Sequence, residues 1–340
     1  MIKLLSILFI LVFINVSSWA GNRQCEQLWN HNYIKSDQLK VLPSSEHGSG
    51  FILPNEKNLE NIRSNLALVT EGLYVTVGTE RGFMSAALTG DKTKALVLVD
   101  RDDKVVLYNL INKSLLALAK NREDYLKLRQ TVTYTDLQTY IKIHGRYLSR
   151  ENQQTLTHPQ IWSWWIQNVQ QNIQWHSFHQ DPQLNADKSY ANTNYLFDNK
   201  LFDSISELAK NNQIYVFHEN LNSPEFLQKL TFISRTLHQN ISVFDMSNSW
   251  QEGYLGHQQT ITIINSLQSL MRPKSQIILT YQSTDNVSTQ NFSQFKYSMF
   301  TISSLNTMND LNHILGNLTR IEPSRPTPNR ARMQRFGYDD

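Results

Sequence analysis

The chain has 340 residues, with 32 lysines and arginines against 29 aspartates and glutamates, a formal net charge of +3. That balance excludes the strongly basic surface on which nucleic-acid binding depends. A single cysteine, Cys25, excludes an intramolecular disulfide, so a packed core must hold whatever domain the chain forms.

The first segment sets the expected compartment. Lys3 gives a short positive start, Leu4 to Val16 an apolar core, and Ser18 and Ala20 small residues at cleavage-site positions, which together predict a secretory signal peptide cut at about Ala20. The competing reading is a permanent transmembrane helix, but the apolar run falls short of the roughly 20 residues a bilayer requires, so no permanent membrane insertion is expected. Arg23-Gln24 lacks the small-residue context of a lipid attachment at Cys25. Without the leader the chain carries 31 basic and 29 acidic residues, or +2. The mature protein is expected to be exported, periplasmic or secreted.

Residues 21–50 read as a polar N-terminal extension that ends in the loop Pro43 to Gly50, and the compact domain is expected over 51–321. Asn58 to Val69 carries Leu59, Ile62, Leu66 and Leu68 at near-helical spacing, and Leu73 to Val77 follows as a strand. Phe83 to Leu88 predicts a short helix, Ala95 to Val99 a buried strand ending at Asp100, and Val105 to Leu118 a long helix. From about 131 to 189 the pattern changes to an aromatic, mainly helical stretch with Trp162, Trp164, Trp165 and Trp175. It reads as an inserted helical subdomain or cap over the strand ends.

The alternation then resumes. Leu201 to Ala209 predicts a helix, Gln213 to Phe217 a strand, Pro224 to Leu237 a helix and Ile241 to Met246 a strand. Gln258 to Met271 predicts a further helix, followed by strands at Gln276 to Thr280 and Phe295 to Ile302. Strands alternating with helices predict an α/β fold of three layers, Rossmann-like, with a mostly parallel sheet. The tail 322–340, with Pro323, Pro326 and Pro328 among arginines, has the composition of a disordered segment.

The strongest chemical signal is Val75-Thr76-Val77-Gly78-Thr79-Glu80-Arg81-Gly82, a buried strand running into a turn with two glycines. Gly78 would let a ligand approach the backbone and Glu80 would accept hydrogen bonds from a ligand amine. Asp100 closes the next strand where Rossmann-like folds place a carboxylate on ribose hydroxyls. The plainer alternatives are an ordinary strand-to-helix turn and a helix N-cap or surface carboxylate. His218 beside Glu219 at a strand end offers a general base with an orienting carboxylate, against the plainer reading that adjacent strand residues point to opposite faces. His158, His176 and His179 lack the carboxylate or cysteine that would complete a ligand set, so no metal is expected. No Gly-x-Ser-x-Gly elbow or phosphate-loop signature occurs, which argues against a serine hydrolase or a nucleoside triphosphatase.

Taken in order, Val77-Gly78-Thr79-Glu80, Val99-Asp100, Asn121-Arg122-Glu123, Asn194-Tyr195-Leu196, Ile214 to Phe217 and Ile241 to Asn248 followed by Tyr254-Leu255 resemble a poorly characterised bacterial family with the fold of class I S-adenosylmethionine-dependent methyltransferases. The similarity covers roughly Phe51 to Tyr281. It implies that Gly78, Thr79 and Glu80 form the first ligand-binding loop, that Asp100 is the carboxylate after the second strand, and that Ser247-Asn248 end the strand facing the site. The chain departs from the family at His218-Glu219, where Gly-Asp is usual, and at Asp102, where an arginine is usual and Arg101 stands adjacent.

Two functions follow from the resemblance. One is a methyltransferase with S-adenosylmethionine held by Gly78, Glu80 and Asp100 and with Ser247-Asn248 near the transferring methyl, active only after delivery into another cell's cytosol, because exported compartments do not supply the cofactor. The other is a secreted binding or interaction protein that keeps the sheet but has lost or exchanged the cofactor, its partner a protein, a lipid headgroup or a small molecule. The second is the preferred expectation.

Overall fold

The computed structural model describes residues 59–145, 150–170, 189–251, 254–282, 295–305 and 308–321. The expected leader and its cleavage site at Ala20, Cys25, the 21–50 extension, Trp175, His176, His179 and the 322–340 tail lie outside these residues.

Six strands form one sheet: β1 (Gly72–Val77), β2 (Thr93–Asp100), β3 (Ile214–His218), β4 (Ile241–Ser247), β5 (Met271–Gln282) and β6 (Phe295–Thr301). Their order is β3-β2-β1-β4-β5-β6, with every neighbouring pair parallel except β5 and β6. The helices in chain order are α1 (Glu60–Leu66), α2 (Glu80–Leu88), α3 (Asp103–Leu118), α4 (Arg122–Thr131), α5 (Tyr134–His144), α6 (Arg150–Leu156), α7 (Pro159–Trp165), α8 (Ser189–Thr193), α9 (Asn199–Lys210), α10 (Pro224–Leu237), α11 (Gly256–Leu267) and α12 (Met308–Ile321). This is a three-layer, Rossmann-like α/β fold.

The layers follow from the two-residue period of the strands. Tyr74, Leu96, Leu98 and Val216 join one hydrophobic cluster with α1, α2, α3 and α9. Leu73, Val75, Ala95, Val97, Val99, Tyr215 and Phe217 join a second with α10, α11 and α12. Alternate side chains thus feed opposite faces, and a sheet covered on both sides can be apolar at nearly every position. The chain steps outward from β1 to β2 and β3 through helices on the first face. It returns through α10 to place β4 beside β1, and the right-handed crossover then puts α10 and α11 on the second face.

The inserted helices add to the first face. Tyr125, Leu137, Tyr140, Leu156, Ile161, Trp164 and Trp165 belong to the same cluster as α3 and the sheet. Between sheet and insertion, α3 is buried at every position from Val105 to Ala117, as a helix covered on all sides must be. Its polar residues Asn109, Asn112, Lys113 and Ser114 are therefore enclosed with the rest.

Three boundaries differ most from expectation, the first being that α1 ends at Leu66, short of Val69, and leaves Leu68 exposed. A helix over Gln258–Met271 was expected; α11 ends at Leu267, one 3-10 turn covers Gln268–Leu270, and Met271 already belongs to β5. Pro273 is the physical reason, since a proline and its predecessor resist the helical conformation. The sheet absorbs that proline in a register shift, Ile241 pairing with Met271 and Val243 with Gln276. Ser275 Oγ stitches the shift by accepting from Arg272 N at 2.8 Å and donating to Ile241 O at 2.5 Å. The third difference is that α2 begins at Glu80, not at Phe83, which puts Glu80 and Arg81 in its first turn with side chains fully enclosed.

Candidate functional site

The strand order reverses between β1 and β4, and in open α/β sheets the crevice at the carboxyl ends beside such a switch point is where ligands bind. Parallel register extends the pairs Thr76–Asp245, Val77–Val99 and Asp100–His218 across the sheet. His218, Asp100, Gly78 and Ser247 therefore stand in one row at the carboxyl edge of β3, β2, β1 and β4. At about 4.8 Å per strand the outer two are roughly 14 Å apart, so His218 cannot act with Ser247-Asn248.

Gly78 turns the chain out of β1 at φ +90°, a conformation that other residues rarely adopt, and a Cβ there would meet open space. Gly82 serves a different need. A Cβ at that position would come within 2.8 Å of Thr76 Cγ2 and 3.0 Å of Leu98 Cδ2, so the glycine lets α2 lie close on the sheet. Thr79 is the residue before α2 and its carbonyl accepts from Gly82 N at 2.9 Å.

Asp100 closes the turn from the neighbouring strand. Its carboxylate accepts from Asp102 N at 2.9 Å. Burial nevertheless dominates and raises its pKa to about 6. The Gly78–Thr79 peptide unit is held by Asn109, whose amide donates to Gly78 O at 2.9 Å.

Glu80 lies below the crevice. Tyr108 donates to its Oε1, Arg129 Nη1 pairs with Oε1 at 2.7 Å, and Tyr195 donates to Oε2 at 2.5 Å. Asn112, bonded to Tyr125 at 2.5 Å and to Tyr195 at 3.2 Å, completes the cluster. The Arg129 guanidinium lies within 5.6–5.9 Å of the ring centroids of Tyr108, Tyr125 and Trp165, and Trp165 stacks on Tyr108 at 5.6 Å. Burial first, then the nearby Glu80 charge, drives the Tyr108 and Tyr195 hydroxyls well above their ordinary pKa, and Tyr125 is pushed up to about 12. For Arg129 burial opposes the charge, but the three tyrosines and Glu80 outweigh it and hold the guanidinium protonated. Tyr195, from the Asn194-Tyr195-Leu196 segment singled out above, is thus a partner of Glu80. Arg122 Nη1 meanwhile donates to Leu196 O at 2.9 Å.

A second buried pair fills the switch point. Arg81 makes two bonds to Asp245, at 2.6 and 2.7 Å, and Tyr74 adds a third at 3.1 Å. Asp245 Oδ1 also accepts from Ser247 N at 3.0 Å, which helps hold Ser247 at its unusual φ of +53°. Ser247 Oγ donates to Asn248 Oδ1 at 3.5 Å.

His218 and Glu219 part to opposite sides of the sheet. His218 Nε2 sits 2.9 Å from Asp103 Oδ1 and 3.0 Å from Arg101 O. The bond to Asp103 outweighs partial burial and raises its pKa. Glu219 instead bonds Lys229 on α10 and accepts from Ser223 Oγ at 3.3 Å. They form no dyad. His158 caps α7 by accepting from Gln160 N at 3.2 Å.

Set against known families, residues 51–325 match the model of a domain of unknown function, DUF7790. The chain belongs to that family. No curated protein was found to match it. For this DUF7790 domain, then, the geometry of the crevice is the guide to what it does. Gly78, Asp100 and Ser247 stand side by side at the carboxyl edge of β1, β2 and β4. The partners that sequence reading missed are Tyr108, Asn109, Asn112, Tyr125, Arg129, Arg81 and Asp245. Their one advance signal is that Tyr108, Asn109, Asn112 and Lys113 recur at helical spacing within an otherwise apolar helix.

Proposed function

We propose that the protein is an exported binding or interaction protein built on a methyltransferase-like sheet whose cofactor site has been put to another use. One observation carries this reading: both carboxylate oxygens of Glu80 are engaged inside the protein, by Tyr108, Arg129 and Tyr195. In a cofactor-binding role Glu80 would receive the amine of S-adenosylmethionine, so the residues present do not fit that ligand at this position. The buried ion pair Arg81–Asp245 supports the same view, since it commits both charged side chains at the switch point to each other. The leader-like segment ending at Ala20 supports export. The partner would be a small molecule, a lipid headgroup or a protein that meets the lip formed by Gly78, Thr79, Asp100, Ser247 and Asn248.

The alternative is an S-adenosylmethionine-dependent methyltransferase active after delivery into a host cell. It is favoured by the open space at Gly78 beside the perturbed carboxyl of Asp100, because such carboxyls gather at functional sites. Calorimetry and thermal shift with S-adenosylmethionine and S-adenosylhomocysteine separate the two. We expect no response, although a ligand at 100 times its Kd would stabilise by about 2.7 kcal/mol and be readily seen. Micromolar binding that Asp100→Ala abolishes would restore the enzyme.

A further inference from the structure

We infer that the crevice binds a small diamine, its ammonium groups received by acceptors along the carboxyl edge of the sheet: the Asn109 amide oxygen at the Gly78 turn, the Asp100 carboxylate and the His218 ring. This names a ligand class for the crevice to which binding is assigned above, and rests on that reading.

Each acceptor is fixed through one atom and open at another. Asn109 donates through Nδ2 to Gly78 O at 2.9 Å, while its Oδ1, on the same planar amide, is buried with no hydrogen-bond partner among the described residues. An enclosed acceptor without a donor costs free energy that a ligand N–H would recover. Asp100 Oδ1 accepts from Asp102 N at 2.9 Å, and no hydrogen bond among the described residues reaches Oδ2. His218 Nε2 lies 2.9 Å from Asp103 Oδ1 and 3.0 Å from Arg101 O. Both of those are acceptors, so the ring proton is held at Nε2 and the lone pair of Nδ1 is left for a donor.

The three share one face of the sheet. Asp100 and His218 are register partners, and each follows by two residues a side chain, Leu98 or Val216, that packs on the first face. Asn109 comes from α3, the helix that covers that face. Gly78, Asp100 and His218 end successive strands about 4.8 Å apart, a spacing comparable to that between the nitrogens of a diamine with three methylene groups.

The charges favour a cation. Asp100, Asp102 and Asp103 stand with Arg101 and Lys104 on the β2–α3 turn, an acidic excess, and on β3 Glu219 is paired with Lys229. An anion would find the local donors already committed. Asp102 takes Lys104 N and Val105 N at 2.8 and 3.4 Å, Arg81 is paired with Asp245 and Arg129 with Glu80. An ammonium group has three donors and no acceptor, the complement of this edge. With a pKa of about 6, Asp100 is ionised at pH 8 and meets the ammonium as a carboxylate.

The test uses trimethylenediamine at pH 8. Val77-Gly78 is the single Val-Gly step in the chain, so the full-length mature protein labelled with 13C-carbonyl valine and 15N glycine gives one filtered amide signal, that of Gly78. We expect the diamine to shift that signal saturably, and tetramethylammonium, which has the charge without N–H donors, to leave it in place at equal ionic strength. Asp100→Asn and His218→Gln should each raise the dissociation constant about tenfold, the ordinary worth of a hydrogen bond to a charged group. No saturable shift, an equal response to tetramethylammonium, or unchanged binding in both folded variants overturns the diamine site. If glucose or inorganic phosphate moves the Gly78 signal and the diamine does not, the diamine falls and a binding crevice stands; if none of them moves it, the result counts against both.

Discussion

At the scale of single residues, the centre of this molecule is a carboxylate that behaves as structure. Glu80 is enclosed with Arg129, and charges removed from water are tolerated only when paired and hydrogen-bonded. Removing one member strands the other. We expect Arg129→Met to cost about 3–5 kcal/mol of unfolding free energy in urea, the range for breaking a buried pair by halves. The double variant Glu80→Met/Arg129→Met should cost clearly less than the sum of the single losses. Strict additivity in that cycle would show that the two side chains are not coupled as the contacts imply. None of this was legible locally. Glu80 follows a strand and a glycine turn, the position of a ligand-binding residue, while its partners are 28, 49 and 115 residues away in the chain. Arg81 was equally opaque, because Asp245 lies 164 residues on.

At the scale of elements, α3 is the part on which the site depends. It contributes Tyr108 and Asn112 to the Glu80 cluster and Asn109 to the Gly78 turn, and it is enclosed from Val105 to Ala117. Its start is fixed by Asp102, which accepts from Lys104 N and Val105 N. Asp102→Ala should therefore lower stability by about 1 kcal/mol, the usual worth of an N-cap. A denaturation curve indistinguishable from wild type would mean that Asp102 is not the cap. Asp102 thus has a local structural role. Elements were the level at which sequence reading worked best. Fully apolar runs such as Ala95 to Val99 and amphipathic runs such as Pro224 to Leu237 carry their own period, and they ended where expected within a few residues. It failed at Met271, because the apolar residues that extended the helical pattern also suit a strand, and only Pro273 and the register shift beside it decide between them.

At the scale of the whole molecule, strand order was beyond reach from the residues alone, and it is what turns scattered candidates into one row. Gly78, Asp100 and His218 line up because β1, β2 and β3 are successive neighbours, and Ser247 joins them because β4 crosses back beside β1. That placement has an energetic consequence for the entire fold. The Asp100 pKa rises from 3.8 to about 6 on folding, so the native state binds its proton more tightly than the unfolded chain does. Its contribution to stability is then fully present below about pH 4 and is lost as the pH rises through 6. His218, raised by Asp103, acts in the same direction, with its contribution present below the unfolded value of 6.5 and lost as the pH climbs through its higher folded value. Asp100→Asn keeps an acceptor for the backbone amides but carries no buried charge. We expect this variant to be more stable than wild type at pH 8, by about 2 kcal/mol once a shift worth roughly 1.4 kcal/mol per unit is discounted for partial exposure. The advantage should largely disappear by pH 4, where the folded carboxyl is protonated and the unfolded one is close to half protonated. Urea unfolding of both proteins at pH 8 and pH 4 measures the difference. An equal gap at the two pH values would assign it to packing and not to the charge, whereas a gap that closes on acidification would mean that the fold gives up stability at neutral pH to keep an ionised carboxylate at the lip of its crevice, a cost that selection retains at sites of use.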